Sequence, residues 1–297
     1  MRHLVQFILA VTLCTAVTPA SAQDVYERKP PYMSIFGLRG YKTIEVEPGL
    51  YTFRHGGFRN IFVVTDDGVI ATDPINPTAA AVMREEIAKI TNQPVKYVVY
   101  SHWHWDHVLG GQIFKDGGAT FVSHEKCVDH FTFNPHADLV MPDETFSGNH
   151  EIKLGGTTLE LLYFGPNHSD CNVVMRVKGS KVLFVNDLVT PYYTGFGTMP
   201  DYDPGGLRDT LAEMDKLGAE RLIGGHGVPI APASQITEQY AFLNTMLTGV
   251  KQALDARTPR SEILASIDLS AYEHLEGMED QLPRFMERIL FYHTMGW

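Results

Sequence analysis

The chain has 297 residues, of which 44% are hydrophobic, 20% charged and 11% aromatic, the composition of a folded globular protein and not of a disordered or collagen-like one. Lys and Arg number 24 against 35 Asp and Glu, a formal net charge of −11, which excludes a general nucleic-acid binder or a basic membrane-surface module. Histidines number 13 and cysteines 3, so any bound metal must be carried by imidazole and carboxylate, because three thiols build neither a four-cysteine site nor a disulfide framework.

Arg2 and His3 precede an apolar run from Leu4 through Val17, and Ala20-Ser21-Ala22 supplies a small-x-small cleavage pattern. Residues 1–22 therefore read as a secretory signal peptide cut after Ala22. The run is shorter than the ~20 residues that span a bilayer, so no stable membrane anchor is expected after cleavage. Val11 and Leu13 are not the small residues that a lipoprotein signal places before Cys14. The expected location is the periplasm or the medium. There Cys127 and Cys171 could pair, a point that sequence alone leaves open.

From Thr43 the pattern is β-rich. Thr43 to Glu47 alternates, Pro48-Gly49 turns the chain, and Ile61 to Thr65 runs into Asp66-Asp67-Gly68 and returns as Val69 to Thr72, a hairpin. A helix is predicted from about Thr78 to Ile90, then a short apolar strand from Val95 to Ser101. The rhythm recurs with a strand at Ala119 to Val122, a helix after Ser123, a hairpin around Gly155-Gly156, and strands at Val173 to Val177 and Val182 to Val185. Pro204 to Leu217 reads as a helix with Asp203 as N-cap and Gly218 as stop, leading into a strand at Arg221 to Ile223. After Pro232 the chain looks helical to Trp297. Mixed series of this kind predict sheets covered by helices, an α/β layered architecture.

The sharpest chemical signal is Ser101-His102-Trp103-His104-Trp105-Asp106-His107, at the end of the Val95 to Ser101 strand. In extended backbone alternate side chains share a face, so His102, His104 and Asp106 can point one way while a turn brings His107 alongside. Such a set of imidazole and carboxylate donors suits zinc. Three later residues stand just past apolar strands: His168 after Leu159 to Phe164, Asp187 after Val182 to Val185, and His226 after Arg221 to Ile223. Loops on one edge of a layered fold converge, and active sites collect there.

The motif His102-x-His104-x-Asp106-His107, followed by His168, Asp187 and His226 at strand ends, resembles the metallo-β-lactamase superfamily from about Thr43 to Pro229, and within it the exported bacterial type. The resemblance implies a four-layer αββα sandwich with a helical C-terminal extension and a binuclear metal centre at one edge. Carried over by residue, His102, His104 and His168 hold the first metal, Asp106, His107 and His226 the second, and Asp187 bridges both. The implied cofactor is zinc, two ions per chain, with iron or manganese as open alternatives. Asp73, in Thr72-Asp73-Pro74, matches an acidic residue that braces the metal loop; its other reading is a turn-forming Asp before Pro. Residues 23–42 are then an N-terminal extension, 43–231 the metallo-β-lactamase domain, and 232–297 a helical region packed on it.

Many reactions share this fold, so the site must decide. Where true zinc β-lactamases of the superfamily usually hold Cys or Ser, Asp187 resembles glyoxalase-II-like thioesterases, lactonases and phosphodiesterases. Asn186 departs from the Gly that often precedes that Asp, and His168-Ser169-Asp170-Cys171 replaces the Gly-His-Thr-x-Gly-His of glyoxalase II. The implied function is an exported binuclear hydrolase acting with a metal-activated hydroxide on a small ester, thioester, lactone or lactam. Asp106 is the catalytic candidate, orienting the hydroxide and accepting its proton. The rivals are a β-lactamase, a mono-iron persulfide-dioxygenase-like oxidoreductase, and a non-catalytic metal-binding protein. The partner expected is a small-molecule substrate and no nucleic acid, with oligomeric state undetermined. Trp103 and Trp105 either wall the pocket or pack beneath the loop, and Tyr192 and Tyr193 either donate to a leaving group or pack. His124, His130, His136 and His150 read as solvent-facing or structural, and the tail pattern Leu243, Met246, Leu247, Val250 and Leu254 as core.

Overall fold

A computed structural model describes residues 39–195 and 199–296. The signal peptide expected at 1–22 and nearly all of the 23–42 extension lie outside the described residues.

The chain begins with antiparallel strands β1 (Tyr41–Glu47), β2 (Leu50–His55), β3 (Phe58–Thr65) and β4 (Gly68–Thr72). Gly49 takes the positive φ of 78° that the β1–β2 turn requires, and a Cβ there would lie 2.9 Å from the Val64 carbonyl. Helix α1 (Pro77–Ile90) follows, with Pro77 in its first turn and the Asn76 side chain accepting from Ala79 N–H. The crossover leads to β5 (Val95–Val99), parallel to β4. Short helices α2 (Trp105–Val108) and α3 (Gln112–Asp116) precede β6 (Thr120–His124), α4 (Glu125–Phe133) and β7 (Glu144–Phe146). These strands form one seven-stranded sheet in chain order, β1 through β7.

The second sheet contains β8 (His150–Leu154), β9 (Thr157–Leu162), β10 (Val174–Val177) and β11 (Val182–Phe184). Helix α5 (Pro204–Asp215), capped by the Asp203 carboxylate on Gly206 N–H, leads to β12 (Arg221–Ile223) and β13 (Ala231–Pro232). Its strand order is β13-β12-β11-β10-β9-β8, with only the β11–β12 pairing parallel. Helices α6 (Ser234–Asp255) and α7 (Leu282–Met295) close the chain.

Strand parity assigns each side chain to a layer. In β3, Ile61 and Val63 point into the seam between the sheets while Phe62 points under the helices; in β4, Ile70 joins the seam while Val69 and Ala71 meet α1. The second sheet does the same: Phe184 and Ile223 enter the seam, while Leu183 and Leu222 face α5, α6 and α7. Three apolar layers result, and a fully buried side chain such as Ile70 or Phe184 contributes about 1.5–3 kcal/mol. The α/β, αββα expectation holds, and Leu243, Met246, Leu247 and Val250 are core as read.

The tail needs correction. It is not helical throughout: α6 ends at Asp255, and three short 3₁₀ turns, Arg260–Glu262, Leu264–Ser266 and Ser270–Tyr272, intervene before α7. Thr258-Pro259 breaks the run, because Pro removes an N–H and disfavours helical backbone in the residue before it. No helix among the described residues is long and apolar enough to cross a membrane.

Candidate metal centre

Every site residue comes from a loop at one end of the strands. Beyond β5, the Tyr100 N–H donates to Val122, and Ser101 N–H donates to Asp73 Oδ1 at 2.8 Å. The bracing reading of Asp73 thus has a geometric basis: it is fully buried, and its Oδ2 accepts from Asn186 Nδ2 at 3.1 Å. Burial raises its pKa to about 6 against the opposing effects of His107, Ser101 and Asn186.

One local expectation is corrected. The strand ends at Val99, the chain bends through residues 101–103, and His104 is the N-cap of α2, so Asp106 and His107 lie on a helical turn and not on a continuing strand. The alternation therefore splits. His102 and His104 turn to one group of donors with His168 and Asp187, while Asp106 and His107 turn to a second with Asp187 and His226.

In the first group, His104 Nδ1 lies 3.1 Å from His168 Nε2, and Asp187 Oδ2 lies 3.8 Å from His102 Nε2 and 3.6 Å from His168 Nε2. In the second, His107 Nε2 is 3.0 Å from Asp187 Oδ2 and 3.4 Å from Asp106 Oδ2. His226 Nε2 is 3.3 Å from Asp187 Oδ1 and 3.6 Å from Asp106 Oδ2. A tetrahedral ion with bonds of about 2.0–2.1 Å has edges of roughly 3.3 Å; both groups are spaced to that scale. His102 Nε2 and Asp187 Oδ1 are also buried without a hydrogen-bond partner, a costly arrangement that a cation would relieve. The donor set therefore fits two ions, with Asp187 shared.

Four of the five imidazoles are oriented through the far nitrogen. His102 Nδ1 is 2.9 Å from Ser101 Oγ, His104 Nε2 is 2.8 Å from Asp201 Oδ2, His107 Nδ1 is 3.0 Å from Asn186 Nδ2, and His226 Nδ1 is 3.2 Å from the Gly57 carbonyl. The partners of His102, His104 and His226 leave the opposite nitrogen to bind a metal, whereas the Asn186 amide nitrogen donates to His107 Nδ1. Gly225, before His226, has no substitute here, since a Cβ would fall 1.7 Å from Asn186 Oδ1 and 2.4 Å from Asp187 Oδ1. Asp187 itself holds a φ of 60°, unusual for a non-glycine residue and a feature of functional sites.

Electrostatics divides the two groups. Burial and neighbouring imidazoles hold His102 well below its ordinary pKa and bring His168 down to about 4. Burial also acts on His107 and His226, but Asp106 and Asp187 outweigh it, and His226 is pushed up to about 9. The two carboxyls are held well below the usual range despite burial, chiefly by the charges of His107 and His226.

A cleft of about 580 Å³ opens over the centre. Its polar lining is His104, Asp106, His168, Asp187, Asp201 and His226, and its apolar lining Trp103, Trp105, Met199 and Pro200. Both tryptophans therefore wall the pocket. Trp103 also packs on the helix-side core, stacks on His130 at 4.6 Å, and donates Nε1–H to Asp201 Oδ2 at 3.1 Å. Asp201 and Asn186 are the residues that sequence reading did not place in the site. Asp201 had no motif around it, and Asn186 was seen only as a departure from Gly.

The remaining candidates sort by contact. Tyr192 and Tyr193 do not line the cleft; Tyr192 O accepts from Glu276 N–H at 2.9 Å, and Tyr193 is buried beside Gly277. His124 is buried and caps α4, His130 is 2.8 Å from Asp170, His136 Nδ1 accepts from Asp138 N–H, and His150 stacks on Phe146. Cys127 and Cys171 form a disulfide, so Cys171 is no thiolate ligand.

Residues 55–226 match the family model described as the metallo-beta-lactamase superfamily. The chain belongs to that superfamily, whose fold is that of metal-dependent hydrolases. It is 27% identical over 165 residues to the 2,4-dinitroanisole O-demethylase subunit alpha of Nocardioides sp. (strain JS1661), covering 54% of this chain and 49% of that one. It is 24% identical over 173 residues to the Beta-lactamase-like protein 2 homolog of Caenorhabditis elegans, covering 58% of this chain and 56% of that one. The chain thus spans about half the length of these curated relatives. A metallo-beta-lactamase from Pontibacter korlensis shares its fold with a TM-score of 0.62 at 22% identity, over 69% of this chain and 99% of that one.

Proposed function

We propose that the protein is an exported hydrolase that holds two zinc ions and adds water to a small ester, thioester, lactone or lactam. The observation that carries this reading is the pair of donor groups sharing Asp187 at the floor of an open cleft. His102, His104 and His168 would hold one ion, Asp106, His107 and His226 the other, and Asp187 both. When bound, such ions lower the pKa of water toward neutrality and polarise a carbonyl oxygen as Lewis acids.

The chain's own side chains do the rest. Asp106 is the more exposed of the two shared-site carboxylates, so its free oxygen can orient the attacking water and accept its proton. Asp187, buried among four histidines, is held ionised and fixed. Trp103, Trp105, Met199 and Pro200 give the substrate an apolar wall. Export is supported by the leader-like residues 1–22 and by the Cys127–Cys171 disulfide, a feature of oxidising compartments.

The test combines elemental analysis with an ester, thioester, lactone, lactam and phosphodiester panel on one preparation. An aryl methyl ether is added because one relative is named for demethylating an aromatic ether. Two zinc ions per chain and turnover abolished by EDTA are expected. One iron per chain with negligible zinc would replace the reading by an oxidoreductase, and a panel with no metal-dependent turnover would leave a binding protein. Nitrocefin turnover exceeding that of every ester would move it to a β-lactamase.

A further inference from the structure

The donors of the two groups are not held alike. His102, His104, Asp106 and His107 lie where the chain leaves β5, bends through residues 101–103 and enters α2. His226 instead stands in Gly224-Gly225-His226-Gly227, where three neighbours lack a side chain and Gly227 holds a φ of 74°. Glycine loses more conformational freedom on folding than any other residue. Contacts from outside the loop must therefore fix this imidazole.

Those contacts come from the opposite sheet, at the β2–β3 turn. The Gly57 carbonyl lies 3.2 Å from His226 Nδ1, and the Phe58 ring meets the His226 ring edge to face with centroids 5.2 Å apart. Arg59 N–H donates to Gly225 O at 2.8 Å, just before the imidazole. Its Nη1 donates to the Gly227 and Val228 carbonyls, just after it, at 3.2 Å each. Strand parity explains why a guanidinium is there. Arg59 shares its face of β3 with Ile61 and Val63, which fill the seam between the sheets. It is only 2% exposed, so the loop carbonyls are among the partners that replace water around its charge.

We propose that Arg59 is a positioning residue for the second ion: by holding the carbonyls that follow His226, its guanidinium fixes that imidazole against Asp106 and Asp187 and sets the affinity of the second donor group, a role that rests on the two-ion reading above. His226 Nε2 is 3.3 Å from Asp187 Oδ1 and 3.6 Å from Asp106 Oδ2, so a swing of this one ring opens an edge of the group. The first group draws His102, His104 and His168 from other loops. It should keep its ion when Arg59 is changed.

The test measures zinc binding to the full chain by chelator competition in four forms: the parent, Arg59→Met, His226→Ala and the double variant. Met keeps an apolar stem at this position and leaves the backbone bond to Gly225 in place. Arg59→Met should bind the second ion about 10–100-fold more weakly and the first within about threefold of the parent. His226→Ala should keep one ion, and adding Arg59→Met to it should shift that ion's affinity by less than about twofold, because a residue that acts through His226 then has nothing to act on. Amide hydrogen exchange of the metal-free chain gives a readout that needs no ion: residues 224–230 should exchange faster in Arg59→Met, with residues 165–172 around His168 unchanged. Equal second-ion affinity in the parent and Arg59→Met, equal weakening of both ions, or an effect that persists in the His226→Ala background overturns the proposal. If the parent binds fewer than two ions, the two-ion reading fails and exchange decides alone. A rise confined to 224–230 then keeps Arg59 as the tether of His226, and no rise or a uniform one removes it. Where Arg59→Met does not fold, Arg59→Lys, which keeps the charge but loses the planar fork, is read in its place by the same criteria, with about threefold or more expected at the second ion.

Discussion

His104 faces two ways on one ring. Its Nδ1 points at His168 Nε2 and the first donor group, and its Nε2 at the Asp201 carboxylate. A proton on Nε2 leaves the Nδ1 lone pair for a metal, so Asp201 fixes the tautomer as well as the ring angle. Burial opposes the charge on Asp201, but the hydrogen bond from His104 holds its carboxyl below the usual range. Asp201→Ala should therefore weaken metal binding at the first group by about 10–100-fold, measured by chelator competition. Unchanged affinity would show that His104 is held by the loop alone. His102, His104, Asp106, His107, His168, Asp187 and His226 were legible because ligand-type residues crowd a strand end or follow apolar runs. Asp201 was not, since an isolated Asp between Pro200 and Tyr202 carries no local signal.

The elements act as clamps on these loops. Helix α4 is tied through Cys127 to Cys171, three residues beyond His168, with a sequence separation of 44. Closing a loop of that length restricts the unfolded chain, and removing the bridge should cost about 2–4 kcal/mol. Denaturant unfolding of the Cys127→Ala/Cys171→Ala double variant measures it, with a lower midpoint expected and a slope no smaller than the parent's, because the unbridged unfolded chain exposes more surface. A midpoint equal to that of the parent would deny the bridge a role in stability. On the other flank, Arg288 of α7 holds the carbonyls of Met199 and Tyr202 on either side of Asp201. The C-terminal helices thus position a wall of the cleft. Their amphipathic spacing was readable in sequence; their contact with the 199–203 loop was not, because it joins residues some ninety positions apart.

At the scale of the molecule, the two sheets bring seven donors from four loops into one volume, and that crowding has a pH signature. Without metal, His226 keeps its proton up to about pH 9 because Asp187 and Asp106 surround it. Its folded-state pKa lies above the ordinary value of 6.5, so the stabilisation is complete below about pH 6.5 and is lost as pH rises through about 9. Metal-free protein should accordingly melt at a lower temperature as pH rises from 7 to 9. Metal binding requires neutral imidazole, so ions added at pH 7.5 should release protons. Titration calorimetry in buffers of different ionisation enthalpy reads that release. A buffer-independent heat, together with a flat melting curve over this range, would contradict the charge arrangement.

By itself the sequence determined the strand and helix rhythm, the superfamily and the metal-type donor set, because these depend on periodicity and on residue chemistry at strand ends. The helical tail was overextended past Asp255, where Pro259 and short 3₁₀ turns interrupt it. The division of the donors was implied by the resemblance alone, and the tertiary structure supplies its geometry, since the helical turn that begins after His104 sends Asp106 and His107 to a different group from His102. Only the tertiary structure decided the disulfide and the place of Asp201, whose partners are distant in sequence and meet only when the layers pack.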